Sequence, residues 1–507
     1  MTRSDPRTTA DRPNTTQSLL VPSLRLISIA VLVGLGASVA GLSGLSQADG
    51  SGATAASALL NSKSAAAPSP SATTTAGALD VRAENLKAGT PGWQISPARG
   101  THAGLEAYAG AVSVRPGEPV PLAVNGEGSV RVRALRIGWY DGIGARQVWA
   151  GTLSAQPESV DPGQWPVRGQ ADTTGWPEGH YLLRLDQGPA SRYLPLTVRS
   201  ADSRGRILVL TSPLTWQAEN TDLTGGTEQR TASFDRPYAA GYGSGGFLAD
   251  DEGIVQQAER TGKRLAYGTD YDVSSDPALL TKATAVLTGS DSRFWTSSLR
   301  SAIAKAGEAG TNLAFFGSGA GSRKVSLTGQ GRVLSVSAGA PSDSLTFTGL
   351  RPSCAASVPA AWTVSNADWW GYQGTGVHTG DLLPGLIGAG ADRASTRSAG
   401  SPSPMQVLSF TQITCTTADG ASQPGVQSAV YQARSSGAGV FVAGTGRWAC
   451  VVVNSCLNEN GKPISIDPAT QRFASRVTRT VVTGFATTRA GKRYPATNSA
   501  SQYANLR

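Results

Sequence analysis

The feature that most constrains the fold is an alternation of short apolar runs and helical segments that begins after Asp202. The apolar runs are RILVLT at 206–211, ATAVLT at 283–288 and NLAFFG at 312–317. Strands that are apolar throughout and alternate with amphipathic helices are typical of a parallel sheet covered on both faces. We therefore predict a mostly parallel α/β domain over residues 203–487, which ends in an amphipathic helix within 468–486.

A different pattern precedes this domain. Residues 91–200 contain short stretches of alternating polar and apolar residues between turn signals, such as GAVSVRPGEPVPLAV and SVRVRALRIGWYDG. The 61 glycines and 29 prolines of the 507-residue chain agree with many tight turns. This pattern predicts an antiparallel β-sandwich of the immunoglobulin or fibronectin type.

The N-terminal residues predict export. A basic segment at 1–25, which we expect to be cytoplasmic, precedes an apolar run at 26–46 that is long enough to cross a bilayer as a helix. The run is either a transmembrane anchor or a signal peptide cleaved after Ala48. Residues 47–90 are rich in Ala, Ser, Thr and Pro and predict a disordered linker. We also expect the tail at 488–507 to be disordered.

Charge and cysteine content agree with an extracytoplasmic protein. The net charge of +9 is spread along the chain, which argues against a nucleic-acid-binding arm but allows attraction to an anionic envelope polymer. The four cysteines suit two disulfides, and of the three possible pairings we prefer Cys450 with Cys456 and Cys354 with Cys415. Because no C-x-x-C occurs, neither a zinc site nor a redox site is expected.

Three segments should meet where ligands bind in open α/β sheets, at the carboxyl ends of the strands. They are TSPLTWQAENTD at 211–222, GTDYD at 268–272 and GSDSRFW at 289–295. Acidic and aromatic side chains concentrate there: Trp216, Glu219, Asp270, Asp272, Asp291 and Trp295. The alternative interpretation is that the polar residues cap helices and the aromatic residues belong to the core.

Two common site types are excluded. GYGSGG at 241–246 matches G-x-G-x-x-G, but no strand precedes it and Asp250 and Asp251 would repel a pyrophosphate, so a flexible turn is the better interpretation. A Ser-His-Asp hydrolase is not expected either, because His378 is the one histidine of the α/β region and no G-x-S-x-G occurs.

Several of these segments resemble a known family. SFDRPYAAGYGSGGFL, YGTDYDVSSDPALL and the segment from GSDSRFW to NLAFFGS are similar to the large subunit of N,N-dimethylformamidase, over the whole of 203–487. GWYDGIGARQVW at 138–149 resembles the sandwich that precedes that domain in the family. The resemblance implies an α/β domain of the glutamine amidotransferase type. It also implies a mononuclear iron, held by two tyrosines and a glutamate, that activates water for amide hydrolysis.

The family positions are only partly kept in this chain. Tyr238 matches a family tyrosine, whereas Glu219 stands where the family typically has the other tyrosine. The family motif Gly-His-Asp-Glu-Tyr-Trp becomes GSDSRFW, with Ser292 at the glutamate position and Arg293 inserted. A neutral hydroxyl cannot offset the charge of a metal ion as a carboxylate does. The candidate metal ligands are Tyr238, Glu219 and Asp291, and the candidate catalytic residues are Asp291, Ser292 and Trp295.

Three functions remain open. The first is a membrane-tethered homologue that has lost the iron-dependent hydrolysis and acts as an envelope binding module. The second is an active metal-dependent hydrolase of small amides with a rearranged site. The third is an extracellular glycan-binding protein that uses the sandwich. The expected partners are the membrane through 26–46 and an anionic envelope polymer or a small amide; nucleic acid is not expected, and a small-subunit partner cannot be inferred.

Overall fold

Two β-sheets pack on a shared apolar core in the first part of the structure. The computed structural model describes residues 78–220, 229–337, 345–356, 359–394, 402–416, 420–458 and 462–503. The strands of the two sheets are β1 (Glu106–Ala109), β2 (Ser113–Val114), β3 (Val120–Asn125), β4 (Gly128–Ile137), β5 (Ala145–Ala155), β6 (Val167–Ala171), β7 (Gly179–Gln187) and β8 (Ala190–Val198). Their orders are β1-β3-β6 and β2-β8-β7-β4-β5. Alternate residues such as Val130 and Val132 point into the common core, as the period of two predicts.

The second part of the structure is built on a large mixed sheet. Its strands and those of the smaller sheets beside it are β9 (Ile207–Thr211), β10 (Gln229–Ser233), β11 (Leu265–Thr269), β12 (Ala285–Thr288), β13 (Phe294–Trp295), β14 (Asn312–Phe315), β15 (Arg323–Thr328), β16 (Val333–Ser337), β17 (Leu350–Ala356), β18 (Ala360–Thr363), β19 (Leu382–Ile387), β20 (Ala391–Ala394), β21 (Met405–Thr416), β22 (Ser422–Ala433) and β23 (Gly439–Val442). Within the described residues, the large sheet has nine strands in the order β11-β9-β12-β14-β23-β22-β21-β17-β20.

This sheet corrects the expectation of a mostly parallel one. The pairings from β11 to β23 are parallel, and those from β23 to β20 are antiparallel. The C-terminal hairpins therefore extend the parallel half instead of forming a separate layer. Periodicity identifies a strand but does not show which sheet edge it joins. The chain is thus a mixed α/β protein with many strands, and the immunoglobulin and amidotransferase assignments stay predictions.

Ten α-helices lie within the described residues. They are α1 (Val81–Asn85), α2 (Pro97–Gly100), α3 (Pro213–Ala218), α4 (Glu252–Arg260), α5 (Asp270–Ser275), α6 (Ser297–Glu308), α7 (Leu345–Thr348), α8 (Trp448–Val453), α9 (Pro468–Gly484) and α10 (Ala490–Arg493). The Asp467 side chain caps α9, and Pro468 occupies its first turn. The buried residues Phe473, Val477 and Val481 repeat every four positions, so the predicted amphipathic closing helix is present.

Helices occur within both terminal segments that the sequence predicts to be disordered. Helix α1 lies within the expected linker of 47–90, and α10 lies within the expected tail of 488–507. Both segments bury side chains, including Val81 and Ala490, which composition alone does not reveal. The predicted segments 1–25 and 26–46 lie outside the described residues. In the part of the chain that the structure describes, no helix is both long enough and apolar enough to span a membrane.

Both predicted disulfides are present. Cys354 is bonded to Cys415, and Cys450 is bonded to Cys456. The first bond joins the neighbouring strands β17 and β21, and the second joins α8, which contains Cys450, to the segment that follows it. Disulfides persist in oxidising compartments, which agrees with the expectation of export.

The sandwich and the α/β region share one core instead of touching at a small interface. Leu135 and Leu182 of the sandwich belong to the same buried cluster as Ile207 and Ile254 of the α/β region. Polar contacts also cross the boundary, because the Nε2 atom of His180 lies 3.2 Å from the carbonyl oxygen of Val209. Burial lowers the pKa of His180 to about 3, so its imidazole stays neutral at physiological pH.

Candidate functional site

The three predicted segments do meet at one edge of the large sheet. Strand β9 lies between β11 and β12, so the three segments leave the sheet side by side. Hydrogen bonds join the segments: the Leu214 N–H donates to Asp270 at 3.1 Å, and the Phe294 N–H donates to the hydroxyl of Thr215 at 3.2 Å. The carboxyl-end rule therefore locates this edge correctly. Asp272 forms the capping box of α5 and also accepts hydrogen bonds from Ser113 and Arg199 of the first part of the chain.

Arg293 connects two of the candidate metal ligands. Its Nε and one terminal nitrogen each donate to an oxygen of Asp291 at 2.8 Å. The same terminal nitrogen also pairs with the carboxylate of Glu219. The inserted arginine thus places a guanidinium between the two carboxylates, in the fork geometry that guanidinium and carboxylate groups favour. Tyr238 lies nearby, edge-on to Trp216 with ring centroids 6.3 Å apart.

The two serines of GSDSRFW have structural contacts. The hydroxyl of Ser290 accepts a hydrogen bond from the Ala449 N–H at 2.7 Å and lies 3.3 Å from the carbonyl oxygen of Phe316, to which it donates. The hydroxyl of Ser292 accepts from the indole nitrogen of Trp295 at 3.0 Å. Trp295 is buried and stacks on Phe347 in the apolar core. Of the three candidate catalytic residues, Ser292 and Trp295 therefore bond to each other, and Asp291 bonds to Arg293.

Two aspartates that sequence reasoning did not select complete this edge. A π-helical turn at Phe247–Asp251 leads into α4 and places Asp250 and Asp251 beside GSDSRFW. The carbonyl oxygen of Asp250 accepts from the Ser290 N–H at 2.7 Å. Gly289 is required at this contact, because an added Cβ would lie 2.2 Å from the same oxygen. Single-turn π segments often mark functional sites, but their irregular spacing gives no periodic sequence signal.

The aspartates at this edge resist ionisation. Burial raises the pKa of Asp250 to about 7. Burial, with the charges of Asp250 and Asp270, raises that of Asp251 well above its usual range. Both oxygens of Asp251 lack a well-aligned hydrogen bond, although the Ser212 N–H and the Trp216 indole face them and oppose the shift. Burial also raises the pKa of Asp270, whose Oδ2 has no partner.

These carboxyl groups have an unusual chemical capacity. A carboxyl group that keeps its proton near neutral pH can donate a hydrogen bond as well as accept one. Buried polar atoms without partners are costly, and in folded proteins they concentrate at functional sites. The edge therefore offers neutral donors and acceptors beside the guanidinium of Arg293, a combination suited to binding a polar, uncharged group.

An open cleft of about 1160 Å³ lies beside this edge. Its walls include Trp93, Tyr193 and Arg192 from the first part of the chain and Trp216, Glu219, Asn220, Tyr238, Tyr242, Leu248, Asp250 and Arg447 from the second. We call this the aromatic cleft. Tyr238, Tyr242 and Leu248 are partly exposed, so their apolar surfaces are accessible to a ligand.

The glycine-rich segment at 241–246 forms one wall of the aromatic cleft. Gly243 has a φ of +95° and Gly246 packs on Trp216, where an added Cβ would lie 2.6 Å from the indole ring. Tyr242 also has a positive φ, +57°. A tyrosine in this conformation costs about 1 kcal/mol, and such strain is often found at binding sites. The G-x-G-x-x-G spacing therefore reflects close packing.

The donor set does not fit a site for oxidised iron. Arg293 already supplies a positive charge between Asp291 and Glu219. Burial and the charge of Asp270 raise the pKa of Tyr238, which opposes the phenolate that such iron requires. Across the described ranges, no three His, Cys, Asp or Glu side chains are grouped so that they could hold a metal ion.

The fold and the site together define a class of protein: two packed β-sheets continuous with a mixed α/β sheet whose strand ends border an open cleft. The family model for the N,N-dimethylformamidase beta subunit-like, C-terminal domain matches residues 131–336 and 332–458. The chain belongs to this family. The matched region begins within β4, so it includes much of the sandwich as well as the large sheet. A search of curated proteins finds no match.

Proposed function

We propose that this chain is an exported, membrane-tethered member of its family that binds a ligand in the aromatic cleft and has lost the iron-dependent hydrolysis. The observation that supports this proposal is the position of Arg293, which pairs with both carboxylates of the candidate metal set. A bound metal ion would have to displace the guanidinium of Arg293. It would also lack the negative charge of a carboxylate at position 292, because the hydroxyl of Ser292 is neutral. In this proposal the scaffold is retained, whereas a neutral serine and a positively charged arginine stand where a metal ion needs negative charge.

The purified full-length chain is expected to bind no stoichiometric iron and to hydrolyse no small amide. The experiment is metal analysis after incubation with ferrous or ferric iron and gel filtration, followed by an assay with N,N-dimethylformamide. Arg293→Gln removes the competing charge, and Ser292→Glu/Arg293→Gln also restores the family carboxylate. We expect iron retention to rise by at least tenfold in the double variant only. Stoichiometric iron with turnover in the unaltered chain would refute the proposal in favour of the active hydrolase.

The lining of the aromatic cleft favours a carbohydrate as the ligand. Tyr238 and Tyr242 line the cleft and are partly exposed, and Asn220 and Glu219 offer polar groups at the same cleft. A sugar presents both an apolar face and hydroxyl groups, and binding clefts commonly combine aromatic walls with a few polar groups. This differs from the expectation that the sandwich alone binds glycan, because most sandwich aromatics, including Trp165 and Trp176, are buried.

We expect Tyr242→Gly to weaken carbohydrate binding by at least tenfold. Glycine accepts the positive φ of this position, so the substitution removes the ring and relieves the backbone strain. The measurement is binding of the full-length chain to an oligosaccharide array, followed by calorimetry with the best oligosaccharide. Tyr503→Ala is the control, since Tyr503 packs on Phe410 and does not line the cleft. Absence of oligosaccharide binding, or equal losses in the two variants, would count against a carbohydrate ligand.

A further inference from the structure

A second cleft, of about 800 Å³, is lined by arginines. Arg472, Arg476 and Arg479 project into it from α9, and Arg260 joins them from the end of α4. Trp139, which follows β4, forms part of the wall. We call this the arginine cleft, defined by these five residues. It lies apart from Glu219, Tyr238 and Asp291, and no sequence motif indicated it.

Neutral groups hold the arginines in place. The three arginines of α9 are spaced by four and three residues, so they lie on one face of the helix. Arg476 donates to the carbonyl oxygen of Gln373 at 3.3 Å, and Arg479 donates to the side-chain oxygen of Gln257 at 2.6 Å. Arg260 stacks on Trp139, with its guanidinium carbon 4.0 Å from the ring centroid. These contacts orient the guanidiniums of Arg260, Arg476 and Arg479 without neutralising their charge.

The positive charge of the arginine cleft has little compensation. Among the described residues, none of the four arginines has a guanidinium nitrogen within 4.0 Å of a carboxylate oxygen. Glu252 is the one acidic residue in the lining, and burial raises its pKa to about 8, so it is mostly uncharged at neutral pH. Asp467 interacts with the charge of Arg472, but its carboxylate accepts a hydrogen bond from the Thr470 N–H as the N-cap of α9.

The guanidiniums are close enough to destabilise one another. Burial lowers the pKa of Arg479 to about 10, and the charges of Arg260 and Arg476 act in the same direction. Like charges held together without counter-charges reduce the stability of a folded protein. An anion that bound between them would relieve this repulsion. Arg479 is partly buried, whereas Arg260, Arg472 and Arg476 are exposed, so a dissolved anion can reach them.

We infer that the arginine cleft binds an anion that carries at least two phosphate groups. A phosphate accepts hydrogen bonds from several guanidiniums at once and carries more charge than one carboxylate. Four arginines that line one cleft exceed what a single carboxylate or phosphate requires, and the cleft volume accommodates a larger ligand. This inference goes beyond the proposed function and does not depend on the aromatic cleft.

The experiment is isothermal titration of the full-length chain with inorganic pyrophosphate, orthophosphate and citrate at 150 mM salt. We expect saturable one-to-one binding of pyrophosphate, at least tenfold tighter than that of either other anion. Arg476→Gln/Arg479→Gln should weaken pyrophosphate binding by at least tenfold. The matched control is Arg115→Gln/Arg131→Gln, which removes the same charge from exposed positions of the sandwich. The control is expected to stay within twofold of the unaltered chain.

Three results would overturn the inference. The first is the absence of saturable pyrophosphate binding, and the second is equal affinity for citrate or orthophosphate. The third is an equal loss in the two double variants, which would assign the binding to the overall charge of +9. Thermal unfolding of each variant shows whether it is folded. Arg476→Lys/Arg479→Lys keeps both positive charges but removes the paired N–H groups of the guanidiniums. We therefore expect its affinity for pyrophosphate to lie between those of the double glutamine variant and the unaltered chain.

Discussion

Arg136→Met is expected to lower the free energy of unfolding by about 3–5 kcal/mol, because it leaves an unpaired carboxylate in the core. Arg136 lies on β4 and Glu259 on α4, and both side chains are fully buried. Two hydrogen bonds, of 2.6 and 3.0 Å, join their charged groups. The ion pair therefore joins the sandwich to the α/β region inside the shared core. Chemical denaturation of the full-length chain measures the effect.

Two further variants show whether the effect comes from the buried charge. Arg136→Met/Glu259→Leu removes both charges and should recover most of the lost stability, since buried ion pairs are often replaceable by apolar side chains. Arg131→Met, at an exposed position of the same strand, should change stability by less than about 0.5 kcal/mol. If the double variant were no more stable than Arg136→Met, lost packing would explain the effect, and the charge would not.

The local elements of the fold were readable from the sequence because their signals are local. The run RILVLT gives β9, and Asp276 followed by Pro277 begins the short helix Pro277–Leu280. The partners of the C-terminal strands were not readable. Strand β23 pairs in parallel with β14, which lies more than a hundred residues earlier in the chain, and alternation of apolar residues does not specify such a partner.

The sequence predicted which segments meet but not which side chains bond there. The carboxyl-end rule places the segments that contain Glu219, Asp270 and Asp291 at one edge of the sheet, and hydrogen bonds between the segments confirm that they meet. It could not reveal that Arg293 pairs with Glu219, because those residues are 74 positions apart. It also gave no reason to select Asp392, which accepts from the Gly319 N–H with both oxygens and whose pKa burial raises to about 7. Contacts of this kind depend on how distant loops pack.

Glu252→Gln is expected to remove a large part of the pH dependence of stability. Glu252 is buried where the two clefts approach each other, and it lines both. Burial raises its pKa in the folded chain from 4.5 to about 8. Between those values the unfolded chain has lost this proton and the folded chain has kept it, so the free energy of unfolding falls as pH rises. From pH 5 to 8, this group should contribute a fall on the order of 3 kcal/mol.

The measurement is chemical denaturation of the unaltered chain and of Glu252→Gln at several pH values from 5 to 8. The glutamine can keep a hydrogen bond to Gln256, so the two proteins should be similar in stability at pH 5 and should diverge as pH rises. Asp250 and Asp392 titrate in both proteins, so the difference isolates Glu252. Glu127→Gln, at an exposed position, should follow the unaltered chain. Parallel pH profiles for the unaltered chain and Glu252→Gln would show that Glu252 is ionised in the folded protein, and the arginine cleft would then contain a counter-charge of its own.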